Sequence, residues 1–149
     1  MKEELKLEHL APYLPYRLQC HLMGEMINDD ADPTIPRIFY IIGADTSRVK
    51  ISKGLLIDAW IYEEVFPILR PLSDIIEYTE HFNLHFRPID ELMNHPLCND
   101  NESELASLVM NSVNECPYWM IEKLLYWNFD IFGLIEKGLA IDIKTLEEI

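Results

Sequence analysis

The apolar residues of this chain change their spacing part-way along it, and that change narrows the possible folds more than any other feature. In the first half they recur at every second position. From Tyr16 onward, Tyr16, Leu18, Cys20 and Leu22 are apolar while Arg17, Gln19 and His21 are polar, the period of a strand with one buried face. Arg37 to Ile42 is β-branched and aromatic, Gly43-Ala44-Asp45-Thr46-Ser47 can turn, and Arg48-Val49-Lys50-Ile51 alternates basic with apolar, which predicts a β-hairpin. Ser52-Lys53-Gly54 then turns the chain into Leu55 to Tyr62, a run that suits either a strand or a short helix packed on the sheet. In the second half the spacing lengthens to three and four residues. Leu105, Leu108, Val109 and Val113 form a helical stripe, and Asn101 and Glu104 have the spacing of a capping box at its start. The expected fold class is α+β: a small, mostly antiparallel sheet in the N-terminal half, covered on one face by C-terminal helices.

Prolines and small polar residues punctuate this pattern. Pro12 and Pro15 should end any helix begun at Leu5. Asn28 to Pro36 has no period and is rich in turn formers, so it reads as an exposed loop. Pro67 and Pro71 break the chain before Ser73, which can cap a helix reaching about Glu80, with Leu72, Ile75, Ile76 and Thr79 on one side. Phe82, Leu84 and Phe86 alternate with Asn83, His85 and Arg87, predicting a return to extended chain. Pro88 suits the start of a short helix through Met93, and Pro117 that of a helix over Tyr118 to Trp127. Asp130 is placed to cap a last helix ending at Gly138. No internal repeat or linker interrupts the chain, so residues 1–149 are expected to form a single domain, for which 49% hydrophobic residues can supply one core.

Charge and motifs exclude several functions. With 12 Lys+Arg against 26 Asp+Glu the formal charge is −14, which opposes direct contact with nucleic acid or an acidic membrane. No run approaches the roughly 20 apolar residues of a membrane span, and Met1 to Lys6 leads into no apolar signal region. A cytoplasmic protein is therefore expected. Cys20, Cys98 and Cys116 are odd in number and lack zinc or disulfide spacing, so they read as buried thiols. Neither a glycine-rich phosphate loop nor a G-x-S-x-G turn occurs, and Asp29, Asp30 and Asp32 lack the ligand spacing of a calcium loop. No cofactor is expected.

Three groups of side chains remain as candidates. Glu77, His81 and His85 fall at successive i, i+4 positions, with His95 and Cys98 further on, and on one continuous helix the first three could converge on a metal ion. The same residues also read as a solvated face, and a strand over Phe82 to Phe86 would break that helix, so no metal is expected. From Pro88 to Glu122 the chain carries Asp90, Glu91, Asp100, Glu102, Glu104, Glu115 and Glu122 without an intervening Lys or Arg, a surface that would steer cationic partners. Tyr118, Trp119, Tyr126, Trp127, Phe129 and Phe132 are more aromatic side chains than one helical stripe easily buries. Either all of them fill the core, or some anchor an interface.

Glu8-His9-Leu10-Ala11-Pro12-Tyr13-Leu14-Pro15-Tyr16, Arg70-Pro71-Leu72-Ser73-Asp74 and the stretch from Phe132 to Leu146 resemble a family of small uncharacterised proteins from phages and prophages of gut Bacteroides-type bacteria. The resemblance covers roughly a third of the chain and is most specific at its C-terminal end. It implies a mobile-element setting in a bacterial host cell, and no activity or site residues. The family pattern has glycine where this chain has Arg17, which puts a glycine-specific backbone angle there in question. The expectation is a non-enzymatic accessory protein that contacts another protein through Tyr118, Trp119, Tyr126, Trp127, Glu102, Glu104, Glu115 and Glu122, with inhibition of a host nucleic-acid-binding or defence protein as one form of that role. A small metal-assisted enzyme and a self-assembling subunit, such as a homodimer, are the alternatives.

Overall fold

The computed structural model describes residues 4–22, 38–53, 56–81 and 83–147. The fold is α+β, with a mostly antiparallel six-stranded sheet drawn largely from the N-terminal half and most helices in the C-terminal half. The loop expected at Asn28 to Pro36 lies outside the described residues.

The alternation after Tyr16 becomes strand β1 (Gln19–Leu22), in which Cys20 and Leu22 are fully buried, as is Leu18 just before it. β2 (Ile38–Ala44) and β3 (Val49–Lys53) form the expected hairpin, with a bulge between Ile41 and Gly43. Of the run expected from Leu55 to Tyr62, Leu56–Trp60 forms a strand, β4, paired with β3 from Val49↔Trp60 to Lys53↔Leu56; Ser52 and Lys53, expected in a turn, belong to β3, and residues 54 and 55 lie outside the described residues. With β5 at Val65–Leu69 and β8 at Ile141–Asp142, the strand order is β4-β3-β2-β1-β5-β8.

β5 (Val65–Leu69) runs antiparallel to β1 and parallel to β8 (Ile141–Asp142). Pro67, read from the sequence as punctuation, instead lies inside β5 opposite Cys20. It is tolerated because β8 pairs only with Ile68 and Leu69, so the ladder on that side begins beyond the missing N–H.

The prolines at 12 and 15 do not stop the winding either. Helix α1 (Leu7–Leu10) passes into a 3-10 turn over Ala11–Tyr16 that contains both of them, anchored by the fully buried Tyr13. That turn ends at Arg17 with φ 54° and ψ 51°. The left-handed angle is therefore adopted without glycine. The Arg17 guanidinium lies 5.0 Å from the Tyr40 ring centroid, a cation–π contact that offsets part of the backbone cost.

The chain forms two compact units, residues 1–69 with 132–149, and residues 70–131. The first holds the six-stranded sheet, α1 and α5 (Ile143–Glu147). The second is built on β6 (Thr79–His81), β7 (Leu84–Phe86), α2 (Pro88–Met93), α3 (Glu102–Asn111) and α4 (Tyr118–Tyr126). Its core includes Ile75, Ile89, Leu92, Leu105, Val109, Met120, Leu124, Trp127 and Phe129. The Asn101 cap is present: its Oδ1 accepts the Glu104 N–H at 2.9 Å, and its Nδ2 donates to Glu104 Oε1 at 2.8 Å.

Two expected helices are absent. Leu72–Ile76 makes only a 3-10 turn, and Glu77 is extended at φ −104° and ψ 154° before β6 begins. Arg70 favours the extended path, because its Nη1 donates to Thr79 Oγ1 at 2.6 Å and its Nη2 to the Glu80 carbonyl at 2.8 Å. Asp130 heads no helix. The Gly138 N–H donates to the Ile135 carbonyl and the Leu139 N–H to that of Leu134, with Gly138 at φ 74°. These are the bonds of a Schellman cap. The predicted cap exists, but it closes a single turn. Among the described residues no helix is long and apolar enough to cross a membrane.

Candidate interaction face on the helical unit

Helix α4 buries Met120, Leu124 and Leu125 and turns Tyr118, Glu122, Lys123 and Tyr126 outward. Tyr118, Glu122 and Tyr126 are four residues apart, so they follow one another along a single stripe with about 6 Å between steps. Tyr118 is 80% exposed and Tyr126 43%. Two phenols thus flank a carboxylate.

The aromatic residues separate into distinct roles. Trp127 is buried, with its ring 5.3 Å from Phe86 and 6.5 Å from Phe129, so it belongs to the core and cannot anchor a partner as the sequence suggested. Phe129 is fully enclosed. Phe132 meets His9 and Tyr13 edge-on. Trp119 is half-buried and stacks on His95 at 4.0 Å with an interplanar angle of 8°.

The β6–β7 hairpin continues the exposed surface. Its register pairs His81 with Leu84 and Thr79 with Phe86, which puts these four on one face, with Glu80 and His85 on the other. His81 packs against Tyr126 at 5.4 Å, and His85 stacks on Tyr78 at 5.4 Å. Leu84 and Tyr78 are 69% and 68% exposed. Asn83 supplies the hairpin bend at φ 65°, an angle asparagine tolerates better than most residues.

The same register disposes of the helical metal reading. Glu77, His81 and His85 do not share a helix face, because the helix is replaced by a hairpin that sends the two imidazoles to opposite sides. His95 accepts the Leu97 N–H through Nδ1 at 3.1 Å, and Cys98 Sγ lies 3.8 Å from the Asp100 carbonyl. Cys20 and Cys116 are buried as expected, whereas Cys98 is partly exposed. Among the described residues no group of three or more His, Cys, Asp or Glu side chains is arranged to hold a metal ion.

The acids are not equivalent. Glu102 meets Arg87 at 2.6 Å, and that hydrogen bond and charge hold its carboxyl below the usual range. Arg87 also donates to Asp90 at 3.0 Å and to the Ile76 carbonyl at 2.7 Å. Glu104 is engaged by Asn101. Glu115 and Glu122 are exposed. Arg87, one residue before the acidic run, was the sequence signal that part of this charge is neutralised internally. The unit's other basic side chains are Arg70, which is buried, and Lys123, which is exposed.

Arg70 has no role that the sequence pattern foretells. Besides its bonds to Thr79 and Glu80, its Nε donates to the Trp127 carbonyl at 3.2 Å. The Arg70 N–H donates to the Asn128 carbonyl at 2.9 Å, and the Asp130 N–H to the Arg70 carbonyl at 2.8 Å. One side chain therefore ties β6 to the end of α4 and so helps position Tyr126. His81, beside it, has its pKa lowered by burial and by the Arg70 charge, while a hydrogen bond with the Tyr126 backbone works in the opposite sense. Comparison with protein-family models, with curated proteins and with solved structures finds no match to this chain.

Proposed function

We propose that this protein is a non-enzymatic accessory protein of a phage or prophage, acting in the cytoplasm of its bacterial host through a contact made by its helical unit with a cationic protein. The observation that carries the reading is the exposure of Tyr118 and Tyr126 on either side of Glu122 along one stripe of α4. Tyrosine brings large contact area at little rotamer cost and presents a ring face to Lys or Arg, worth roughly 0.5–1 kcal/mol at an exposed site. The central carboxylate adds charge complementarity, and Lys123 beside it supplies specificity against wholly basic partners. Glu115 extends the negative surface, whereas Glu102 and Glu104 mainly serve α3 itself. Inhibition of a host nucleic-acid-binding or defence protein is the form of this role that the charge and the mobile-element resemblance favour.

The test is affinity capture from lysate of a Bacteroides-type bacterium with the parent chain and the double variant Tyr118→Ala/Tyr126→Ala. A partner retained by the parent at low salt, weakened as salt rises and lost with the double variant is the expected result. A partner indifferent to both changes would remove the α4 face from consideration. Recovery only of a second copy of this chain would assign the face to self-association.

A further inference from the structure

The sheet-bearing unit contains a second candidate site. Arg48, Ala59, Trp60, Ile61 and Glu64 line an open hollow of about 370 Å³ where β3 begins and β4 ends. That volume falls in the range of small-molecule sites. Its charged walls are carried by two turns that are locked together. Asp45 Oδ1 accepts the N–H groups of Ser47 and Arg48 at 2.8 Å each, and the Asp45 N–H donates to the Arg48 carbonyl at 2.9 Å. These bonds hold the Asp45 carboxyl below its usual range and fix the Arg48 backbone. The Tyr62 hydroxyl donates to the Asp45 carbonyl, which fastens the 3-10 turn Tyr62–Glu64 to the hairpin. Within that turn the Glu64 N–H donates to the Ile61 carbonyl at 3.1 Å.

Arg48 and Glu64 thus face one hollow from braced positions, and neither side chain has a hydrogen-bond or ion-pair partner among the described residues. Elsewhere in the chain the comparable pair, Arg87 and Glu102, closes on itself at 2.6 Å. Ala59 contributes a small side chain to the lining, and Ile61 a larger apolar one. We propose that this hollow binds a small zwitterion, an amino-acid-like molecule whose carboxylate meets Arg48, whose ammonium meets Glu64, and whose short aliphatic body lies over Ala59 and Ile61. A guanidinium matches a carboxylate in a planar fork, and an ammonium is well accepted by a carboxylate. The two charged residues of the lining are of opposite sign. A zwitterion therefore escapes the repulsion that a chain of charge −14 exerts on a simple anion.

Titration of the ¹⁵N-labelled full chain with glycine, β-alanine, 4-aminobutyrate and 6-aminohexanoate tests this, because the series steps the distance between the two charges. At least one member should shift the Arg48, Ala59, Ile61 and Glu64 amides saturably. Butyrate and butylamine, each bearing one of the charges, should bind about tenfold more weakly or worse, and Arg48→Gln and Glu64→Gln should each weaken the best ligand by a similar factor. Ala59→Leu, which fills the hollow and leaves both charges, should abolish the shifts. Absence of saturable shifts with the whole series, or equal binding of butyrate, would overturn the assignment. These outcomes are independent of partner binding by α4.

Discussion

Replacing Arg70 by alanine should loosen the helical unit from the β6–β7 hairpin outward. Arg70 is 8% exposed and its guanidinium donates to the Trp127 carbonyl, Thr79 Oγ1 and the Glu80 carbonyl at 3.2, 2.6 and 2.8 Å. Each hydrogen bond from a charged donor contributes about 1.5–3 kcal/mol, and truncation strands the acceptors. Against this stands relief of the cost of burying a guanidinium, which is several kcal/mol, and water admitted to the vacated space. The balance is a loss of about 3 kcal/mol, or roughly a hundredfold faster exchange of protected amides if the unit opens as a whole. Amide hydrogen exchange at Thr79 to His81 and along α4 is the suitable assay, since it reports on this unit separately from the sheet. Arg70→Lys should lie between, at about 1.5 kcal/mol, because an ammonium on a flexible stem cannot reach three divergent acceptors at once. A change below about 1 kcal/mol for Arg70→Ala, or equivalence of Lys with Arg, would show that the extended path of β6 is maintained by something other than this fork.

Three further outcomes follow from particular residues. Because the His81 pKa in the folded chain lies below its ordinary value, the unfolded chain takes up this proton first. Its contribution to stability is therefore complete above about pH 6.5 and is lost as pH falls toward the lowered value; the protection factors of the His81 and Tyr126 amides, taken against the intrinsic exchange rate at each pH, should fall from pH 7.5 to 5.5, and His81→Gln should flatten that dependence. Burial pushes the Cys20 thiol to about 12 and the Cys116 thiol to about 11, so a disulfide reagent at pH 8 should label half-exposed Cys98 and reach the other two only in denaturant; equal labelling of Cys20 would mean the sheet core opens readily. At Arg17, φ 54° suits glycine: Arg17→Gly should stay within about 0.5 kcal/mol of the parent because the lost cation–π contact is offset, while Arg17→Val, though at an exposed position, should lose about 1–2 kcal/mol in urea unfolding.

Much of the fold was legible because its causes are local. The two-residue period of Leu18, Cys20 and Leu22 states which side of β1 is buried whatever lies beside it. Asn101 and Glu104 cap α3 through contacts three residues apart, and Pro88 starts α2 where the ring is harmless. At the candidate face, the helix over Tyr118 to Trp127 and its surplus of aromatic side chains could be read in advance. What could not be read was how each aromatic would be used. Trp127 and Tyr126 are neighbours in sequence, yet the first closes the core against Phe86 while the second meets His81 at the surface.

Where the fold departs from local pattern, a remote group is responsible. Leu72 to Glu80 has a helical apolar pattern, but Arg70 bonds to Thr79 and Glu80 only when that segment is extended. Pro67 looks like a break until β8, from the far end of the chain, proves to pair only beyond it. Glu102 looks unpaired until Arg87 reaches it across the sequence. Residue order by itself determined the periodic elements, their caps and the excess of negative charge, since each depends on neighbours within a turn or on simple counting. Long-range contacts then selected which turns grew into helices, which acids were neutralised, and which rings stayed in solvent. Those outcomes depend on groups remote in sequence, whose hydrogen bonds and burial outweigh the few tenths of a kcal/mol by which local propensities differ.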